Sequence, residues 1–196
     1  MTKKINIVLL CAGKSSRLKF NLPKVILPIN GKTLLERSLH NLNQVKPTKI
    51  IIVAGFKKEL VSKLVKDLDY NNVEIAIQKE QLGTGDAVKK SLGLLQDNSL
   101  SIVMNGDTPF VDMETISNAI NYYNKNKSVF TIATSKPLSP TGYGRILRDN
   151  DGQILDIVED RDCNDEQRFI KEVNSGLYLI STPHLKKFIT KIRKNK

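Results

Sequence analysis

The sequence predicts an α/β fold built on a mixed, mainly parallel sheet that is flanked by helices. Apolar runs rich in β-branched residues alternate with stretches whose apolar residues repeat at helical spacing, which is typical of βαβ units. The chain has 196 residues, of which 40% are hydrophobic and 26% charged. This size and composition allow a real hydrophobic core, and we expect one domain over residues 1–196.

Five apolar runs in the first two thirds of the chain are interpreted as strands, because they are short and rich in β-branched residues. They cover residues 5–11, 49–54, 73–78, 101–105 and 129–134. The segments between them carry apolar residues at helical spacing. One helical face is formed by Leu60, Val61, Leu64, Val65 and Leu68, and a later one by Met113, Ile116, Ile120 and Tyr123.

Local turn and capping signals support this division into elements. The dipeptide Asn30-Gly31 is typical of a tight turn. Thr33 and Glu36 have the spacing of a capping box, in which each residue satisfies the other's backbone amide. A helix is therefore expected to begin at about Leu34.

The pattern changes from Gly144 onward. The segments GRILR, QILDIVE and VNSGLYLIS all read as strands, and the turn DNDG at 149–152 separates the first two. No helical stripe lies between them. We interpret this part as a mixed sheet region added beside the first half of the chain and not as a separate domain.

The net charge of +11 raises the question of a polyanionic partner. The excess is spread over most predicted helices, and the final segment KKFITKIRKNK carries six basic residues and no acid. Because the chain has no Trp and few aromatic residues beside basic ones, a nucleic-acid platform based on stacking is disfavoured. A lysine-rich surface around a phosphate-handling site explains the same charge.

The two cysteines, Cys11 and Cys163, lie far apart and form no CxxC motif, so we expect reduced thiols and no zinc site. No run of 18 apolar residues is present, and Lys and Asn interrupt the N-terminus before a signal-peptide core. The expected location is the cytoplasm, without a membrane partner.

The stretch LLCAGKSSRLKFNLPK at 9–24 has some features of a phosphate-binding loop. Gly13-Lys14-Ser15 matches the end of a Walker A motif, but Val8 stands where that motif requires its first glycine. A dinucleotide G-x-G-x-x-G motif is excluded too, because the stretch contains only one glycine. Neither familiar loop therefore fits.

What remains is a glycine-containing loop at the carboxyl end of the first strand, where open α/β sheets bind ligands. Gly13 allows close approach of the backbone, and Arg17 and Lys24 supply two cations of different geometry. This combination suits a triphosphate, although a solvated basic turn would have the same composition.

The stretch "LCAGKSSRLKFNLPK" resembles the signature of the sugar-1-phosphate nucleotidyltransferases. The resemblance continues through QKEQLGTGDAV, NGDTPF, the block from PTGYGR to NDEQR, and EVNSGLYLI. In this order the blocks resemble the uridyltransferase domain of the bifunctional bacterial N-acetylglucosamine-1-phosphate uridyltransferases. The resemblance covers nearly the whole chain and implies a Rossmann-like sheet of the nucleotide-diphospho-sugar transferase fold.

The implied reaction is attack by the phosphate of N-acetylglucosamine 1-phosphate on the α-phosphorus of UTP, with release of pyrophosphate. Because both reactants are anionic, such a site must mainly position them and neutralise charge. By resemblance, Lys24 contacts the α-phosphate and Arg17 the β- and γ-phosphates. Asp107, expected at the carboxyl tip of a strand, would ligate Mg²⁺, while a turn-capping aspartate is the alternative.

The resemblance also implies a set of substrate-binding residues. Gln78 would contact the edge of the uracil ring, and Gly83 and Thr84 would approach the base and ribose; from the sequence alone, Thr84 is equally an N-cap. Gly144, Glu159 and Asn174 match positions that contact the sugar. The remaining members of the set are Leu10, Cys11, Ala12, Gly13, Asn105 and Gly106.

The chain departs from the family at three points. Cys11 replaces an alanine, and Asn105 stands where the family has an aromatic residue. The Asn that serves as the family's second metal ligand belongs to a segment beyond Lys196, as does the acetyltransferase β-helix, so we expect a C-terminally truncated domain without acetyl transfer. Because the family's trimers depend on that β-helix, we expect a monomer.

Two alternatives stay open on the sequence. One is a nucleotidyltransferase for another sugar phosphate or nucleotide. The other is a non-catalytic nucleotide-sugar binding module, or a remnant, that lacks the second metal ligand.

Overall fold

The computed structural model describes residues 4–14 and 21–192. The chain divides into two compact units, one comprising Met1–Thr131 with Leu179–Lys196 and the other Ile132–Tyr178. The first unit is therefore discontinuous in sequence, since the chain leaves it at Thr131 and returns at Leu179. The expectation of one domain over 1–196 stays a prediction.

The elements are those of an α/β protein with a mixed, mainly parallel sheet and flanking helices, which confirms the predicted fold class. The strands are β1 Lys4–Cys11, β2 Pro28–Ile29, β3 Lys32–Thr33, β4 Lys49–Ala54, β5 Val73–Ile77, β6 Ser99–Asn105, β7 Phe130–Ser135, β8 Arg145–Arg148, β9 Ile154–Val158 and β10 Val173–Ser181. The helices are α1 Leu34–Gln44, α2 Lys58–Leu68, α3 Thr84–Ser91, α4 Met113–Lys125, α5 Asp165–Arg168 and α6 Thr182–Ile189, and short 3-10 helices cover Lys24–Ile26, Leu92–Leu94 and Asp160–Asp162.

Four parallel strands in the order β5-β4-β1-β6 form the centre of the first unit. The central strand β1 contributes Ile7, Val8 and Leu9, which are fully buried, as is the whole run from Ile50 to Ala54 in β4. Strands covered on both faces require such continuous apolar runs. This explains why β1 and β4 could be located accurately from their β-branched composition.

The register of these strands places their carboxyl ends side by side. Cys11 is paired with Ala54, Ala54 with Ile77, and Leu10 with Asn105. The residues that follow β1, β5 and β6 therefore emerge along the same edge of the sheet, where ligands of open α/β sheets bind.

The first helix begins where the sequence predicts. In the capping box, the Glu36 amide donates to Thr33 Oγ1 over 3.1 Å, and the Thr33 amide donates to Glu36 Oε2 over 3.4 Å. The predicted turn is present as well, since Asn30 and Gly31 have φ values of 48° and 76° and connect β2 to β3. Positive φ at both central positions is what makes Asn-Gly suitable for a two-residue hairpin.

The helical faces predicted for α2 and α4 are only partly buried. Val61 and Val65 of α2 and Ile116 and Tyr123 of α4 are buried. Leu60 and Met113 are exposed, because each lies in the first turn of its helix, at the rim of the buried face.

The second unit contains the hairpin β8–β9, followed by β10, which pairs with β8 in antiparallel orientation. The turn at 149–152 is present, with the Gly152 amide donating to Asp149 O over 3.1 Å. The prediction of strands without intervening helices is wrong in one place, because the short helix α5 lies between β9 and β10. Asn164 and Gln167 form a capping box that stabilises it.

In the part of the chain that the structure describes, no helix has the length and apolar character needed to cross a membrane. Cys11 and Cys163 are both buried free thiols, as expected.

Candidate active site

A cleft of about 360 Å³ opens at the carboxyl edge of the parallel strands in the first unit. It is lined by residues from the loop after β1, the first 3-10 helix, the segment from β5 to α3, and the end of β6. These are Leu10, Cys11, Ala12, Gly13, Lys24, Val25, Gln78, Gln81, Gly83, Thr84, Ala87, Asn105 and Asp107. Ten of the residues predicted from sequence thus line one cleft.

The loop after β1 is held against its neighbours by backbone hydrogen bonds. The Gly106 amide donates to Leu10 O over 2.9 Å, and the Phe56 amide donates to Ala12 O over 3.2 Å. A side chain at Gly55 would place its Cβ 2.8 Å from Ala12 Cβ and 2.9 Å from Ala12 O. The loop is therefore positioned by glycines on both sides.

Gly106 is similarly constrained. A Cβ at this position would collide with Cys11 Sγ and lie 3.0 Å from Leu10 O. The residue does not itself line the cleft, but its small size allows the ends of β1 and β6 to approach each other. The neighbouring Asn105 does line the cleft.

Cys11 is an unreactive component of this wall. Burial raises the pKa of its thiol well above the ordinary range, and the nearby negative charge of Asp107 raises the pKa further. A nucleophilic cysteine requires the opposite environment, because only the thiolate attacks. The side chain therefore serves packing.

Lys24 and Asp107 face each other in the cleft. Lys24 is the first residue of a 3-10 helix that follows Pro23, and Asp107 lies two residues beyond the end of β6. Lys24 Nζ lies 2.9 Å from Asp107 Oδ2, and the two side chains are 41% and 39% exposed. Both charges are thus accessible to a ligand from solvent.

The chemistry of Asp107 fits a magnesium ion that is held mainly by its substrate. Mg²⁺ prefers oxygen ligands and commonly binds through one or two carboxylates, with substrate phosphates and water completing its coordination. No cluster of three His, Cys, Asp or Glu residues suited to a metal is found within residues 4–14 and 21–192. Among the residues that line the described cleft, Asp107 supplies the single carboxylate, which is consistent with such a site.

Gln78 and the start of α3 form the opposite side of the cleft. The backbone amide of Gln78 donates to Ala54 O over 2.8 Å, and this hydrogen bond holds the residue at the end of β4. Its side chain is buried, and Nε2 donates to Gly83 O over 3.1 Å and to Asp86 Oδ2 over 2.9 Å.

The interpretation of Thr84 as an N-cap is wrong. Gly83 is the N-cap, and Thr84 is the first residue of α3. Gly83 has φ of 98°, a conformation that glycine adopts without strain and side-chain-bearing residues rarely adopt. The open backbone at Gly83 therefore faces the cleft directly.

The three predicted sugar-contacting residues lie in the second unit. The Asn174 amide donates to Gly144 O over 2.8 Å, and Asn174 Nδ2 donates to Tyr178 Oη over 2.6 Å. Burial raises the pKa of Tyr178, and the negative charge of Glu159 raises it further. Gly144, Asn174 and Glu159 therefore form one neighbourhood around Tyr178, a residue that the sequence did not single out.

A partly buried ion pair, between Arg145 and Asp160, supports this neighbourhood. Arg145 is almost fully buried, and its Nη2 lies 2.8 Å from Asp160 Oδ1, while Nη1 donates to Tyr143 O. The Gly142 amide bonds to Asp160 and lowers the pKa of that carboxyl, with Arg145 contributing to the same effect. The pair joins the first residue of β8 to the residue that follows Glu159.

Arg17, predicted to contact the β- and γ-phosphates, lies outside the described residues. Other residues of the cleft were missed from the sequence, namely Val25, Gln81 and Ala87. Gln81 stands inside the recognised QKEQLGTG block, so its position in that block was the available signal. Asp86 and Gly55 act through other residues, and only the folded arrangement shows their contacts.

The chain is similar in sequence to a known family and to named proteins. The family profile of the MobA-like NTP transferase domain matches residues 7–172. A probable UDP-N-acetylglucosamine pyrophosphorylase of Acanthamoeba polyphaga mimivirus is 39% identical over 197 aligned positions, covering 100% of this chain and 77% of the relative. The bifunctional protein GlmU of Streptococcus mutans is 37% identical, and the match covers 96% of this chain and 40% of that protein.

Solved structures show the same fold. HddC from Yersinia pseudotuberculosis has a TM-score of 0.71 and 26% identity over 93% of this chain and 79% of its own, and it has also been solved as a complex with GMP-PN. A putative glucose-1-phosphate thymidylyltransferase from Bacillus anthracis has a TM-score of 0.75 at 18% identity, covering 96% of this chain and 76% of its own. The predicted family resemblance is thereby confirmed.

Proposed function

The chain belongs to the family of MobA-like NTP transferase domains, and from this premise we propose that it converts UTP and N-acetylglucosamine 1-phosphate to UDP-N-acetylglucosamine and pyrophosphate. The observation that carries the proposal is the cleft in which Lys24, Asp107 and Gln78 meet beside the loop after β1. The names of relatives 36–39% identical to it agree with this choice of substrates. The chain spans about 40% of the length of the bifunctional relatives, so only this one reaction is proposed.

In the proposed reaction, an oxygen of the sugar phosphate attacks the α-phosphorus of UTP. A new phosphorus–oxygen bond forms as the bond between the α-phosphorus and the bridging oxygen breaks, and pyrophosphate leaves with that oxygen. The chain's own contribution is positioning and charge neutralisation, which dominate catalysis of phosphoryl and nucleotidyl transfer.

Each side of the cleft has a separate task. Lys24 holds the α-phosphate and neutralises the charge that develops there, and Arg17 holds the β- and γ-phosphates. The loop from Leu10 to Gly13 supplies backbone groups that approach the nucleotide closely. Gln78 contacts the base, while Gly83 and Thr84 lie against the base and ribose.

Asp107 is the residue that would hold a magnesium ion. Mg²⁺ bound there would neutralise phosphate charge without any proton transfer. The described residues offer this one carboxylate in the cleft, and the phosphates themselves would complete the coordination. Gly144, Glu159 and Asn174 are proposed to contact the sugar.

Pyrophosphate release is the direct test. The purified chain is incubated with UTP, Mg²⁺ and a panel of sugar 1-phosphates, and pyrophosphate is measured with a coupled assay. We expect the highest rate with N-acetylglucosamine 1-phosphate. If another sugar phosphate gave the highest rate, that compound would be the substrate in place of N-acetylglucosamine 1-phosphate. If none of them gave pyrophosphate, the chain would be a binding module and not an enzyme. We expect the chain to act in the cytoplasm as a monomer.

A further inference from the structure

The side-chain amide of Gln78 is fixed from behind by two oxygen atoms. Gly83 O lies 3.1 Å and Asp86 Oδ2 lies 2.9 Å from Gln78 Nε2. Gln78 is only 3% exposed and lines the cleft. The two contacts come from the N-cap and from an early residue of α3, so the helix start carries both of them.

Both oxygen atoms are acceptors only, which decides the orientation of the amide. A backbone carbonyl has no proton to donate, and an ionised carboxylate has none either. The hydrogen bond from Gln78 and the ion pair with Lys90 both lower the pKa of Asp86, so the carboxylate is ionised at neutral pH. Lys90 Nζ lies 3.2 Å from the second oxygen, Oδ1.

The reversed orientation of the amide is disfavoured by the same contacts. Turning the Gln78 amide by half a turn would place Oε1 against Gly83 O and Asp86 Oδ2, so that three acceptors would face each other. A buried polar group without its hydrogen bond destabilises the folded state, and the effect is larger beside a charge. Nε2 therefore stays on the side of α3, and Oε1 is the group that Gln78 offers to a ligand.

We propose that Asp86 is a positioning residue that fixes the amide of Gln78 with Oε1 as an acceptor, and thereby selects a base with a ring N–H over one with an unprotonated ring nitrogen. This inference rests on the proposed function, in which Gln78 contacts the base. Uracil carries a donor at N3, whereas cytosine carries an acceptor at the same ring position. Cytosine would set acceptor against acceptor, and a site that leaves buried groups unpaired rejects the wrong ligand strongly.

The test compares UTP with CTP in the wild-type chain and in Asp86→Asn, which keeps the shape but adds an amide that can itself donate. The amide introduced at position 86 could donate to Oε1 of a turned Gln78 amide, so that Gly83 O would remain as the one acceptor that favours the original orientation. Calorimetry gives Kd for UDP and CDP, and the pyrophosphate assay gives kcat/KM for UTP and CTP. We expect the preference for the uracil nucleotides to fall by about tenfold or more. The KM for the sugar phosphate should not change.

Two further variants distinguish an effect of the Gln78 amide orientation from an effect of the charge at Lys90 and from a general loss of stability. Asp67→Asn is a matched control, because Asp67 is a carboxylate ion-paired with Lys63 in the same i,i+4 relationship but on α2. It should leave the base preference unchanged. Lys90→Met removes the cation beside Asp86 but keeps the acceptor, so it should also retain the preference. If Asp86→Asn fails to fold, Lys90→Met still tests the inference, because loss of the preference in that variant would contradict a role for the Asp86 acceptor.

Three outcomes would overturn the inference: an equal affinity of the wild-type chain for UDP and CDP, an unchanged preference in Asp86→Asn, or a preference abolished by Lys90→Met. Failure of the proposed function is distinguishable from these. A chain that binds UDP in preference to CDP through Asp86, yet releases no pyrophosphate, would remove the proposed activity and support the role of Asp86.

Discussion

Lys24 Nζ lies 2.9 Å from Asp107 Oδ2, so the cleft holds a cation and an anion in direct contact, about 40% of each side chain being exposed to solvent. Such exposed pairs contribute little to stability, typically about 0–1 kcal/mol. Under the proposed function, Lys24 would leave Asp107 to contact a phosphate, and Asp107 would leave Lys24 to contact a metal ion. Their mutual contact keeps both side chains at the carboxyl edge of the sheet.

Lys24→Met is expected to lower the rate of pyrophosphate release by about 100-fold or more, because one donor aimed at developing charge is worth about that factor. The thermal unfolding temperature should barely change, since the lost ion pair is exposed. Lys63→Met is the control, because Lys63 forms an ion pair with Asp67 on the surface of α2. Equal rates for Lys24→Met and Lys63→Met would contradict the assignment of Lys24.

Asp107→Asn is expected to raise the Mg²⁺ concentration required for half-maximal rate and to lower the maximal rate. The substitution preserves shape but removes the negative charge that suits a hard divalent cation. A titration of the rate with Mg²⁺ measures both effects. If the variant responds to Mg²⁺ as the wild-type chain does, Asp107 is not the metal ligand, and its role is confined to Lys24.

Gly55→Ala is expected to destabilise the fold by about 1–3 kcal/mol, the usual cost of overpacking. The added Cβ would lie 2.8 Å from Ala12 Cβ and 2.9 Å from Ala12 O. These two atoms can move away only if the backbone of Ala12 moves. Urea unfolding measures the change in free energy. At Gly93, where no atom lies within 4 Å of an added Cβ, the same substitution should change stability by less than about 0.5 kcal/mol.

Glu172→Gln should lower stability at neutral pH but have no effect near pH 2. Hydrogen bonds from Arg148 lower the pKa of Glu172 from 4.5 to about 2. A carboxyl with a depressed pKa stabilises the folded state above its unfolded pKa, and this contribution is lost as pH falls through the folded pKa. Since Arg148 is partly exposed, we expect about 1 kcal/mol at pH 7.

Unfolding experiments from pH 7 to pH 2 test this prediction. The difference in unfolding free energy between wild type and Glu172→Gln should shrink between pH 4.5 and pH 2. A difference that stays constant over this range would show that the effect does not come from ionisation of Glu172.

Local sequence patterns were sufficient for most strands and for the first helix. β4 is bounded exactly where the apolar run predicts, and α1 begins after Thr33 because its capping box is a local signal. The helix α5 was missed although Asn164 and Gln167 have capping-box spacing, since its four residues carry no apolar stripe. A short helix without a buried face has too few apolar residues to show helical periodicity in the sequence.

The site was predictable only as far as its residues follow strand ends or lie in recognised blocks. The register of β1 with β6 brings Leu10 beside Asn105, and two apolar runs cannot specify that pairing. The proposed role of Asp86 was even less predictable from sequence, because it depends on which face of α3 contacts Gln78. The sequence pattern thus located most of the residues that line the cleft, and tertiary packing determines which residues hold them in place.

The discontinuity of the first unit has a consequence for how substrate choice could change. All the described residues assigned to the nucleotide belong to that unit, whereas Gly144, Glu159 and Asn174 belong to the segment 132–178 that interrupts it. Under the proposed roles, the sugar contacts would therefore reside in one continuous segment of the chain, which the first unit encloses on both sides in sequence. Recombination at the two ends of that segment would then be expected to change the sugar phosphate without altering the residues proposed to bind the nucleotide.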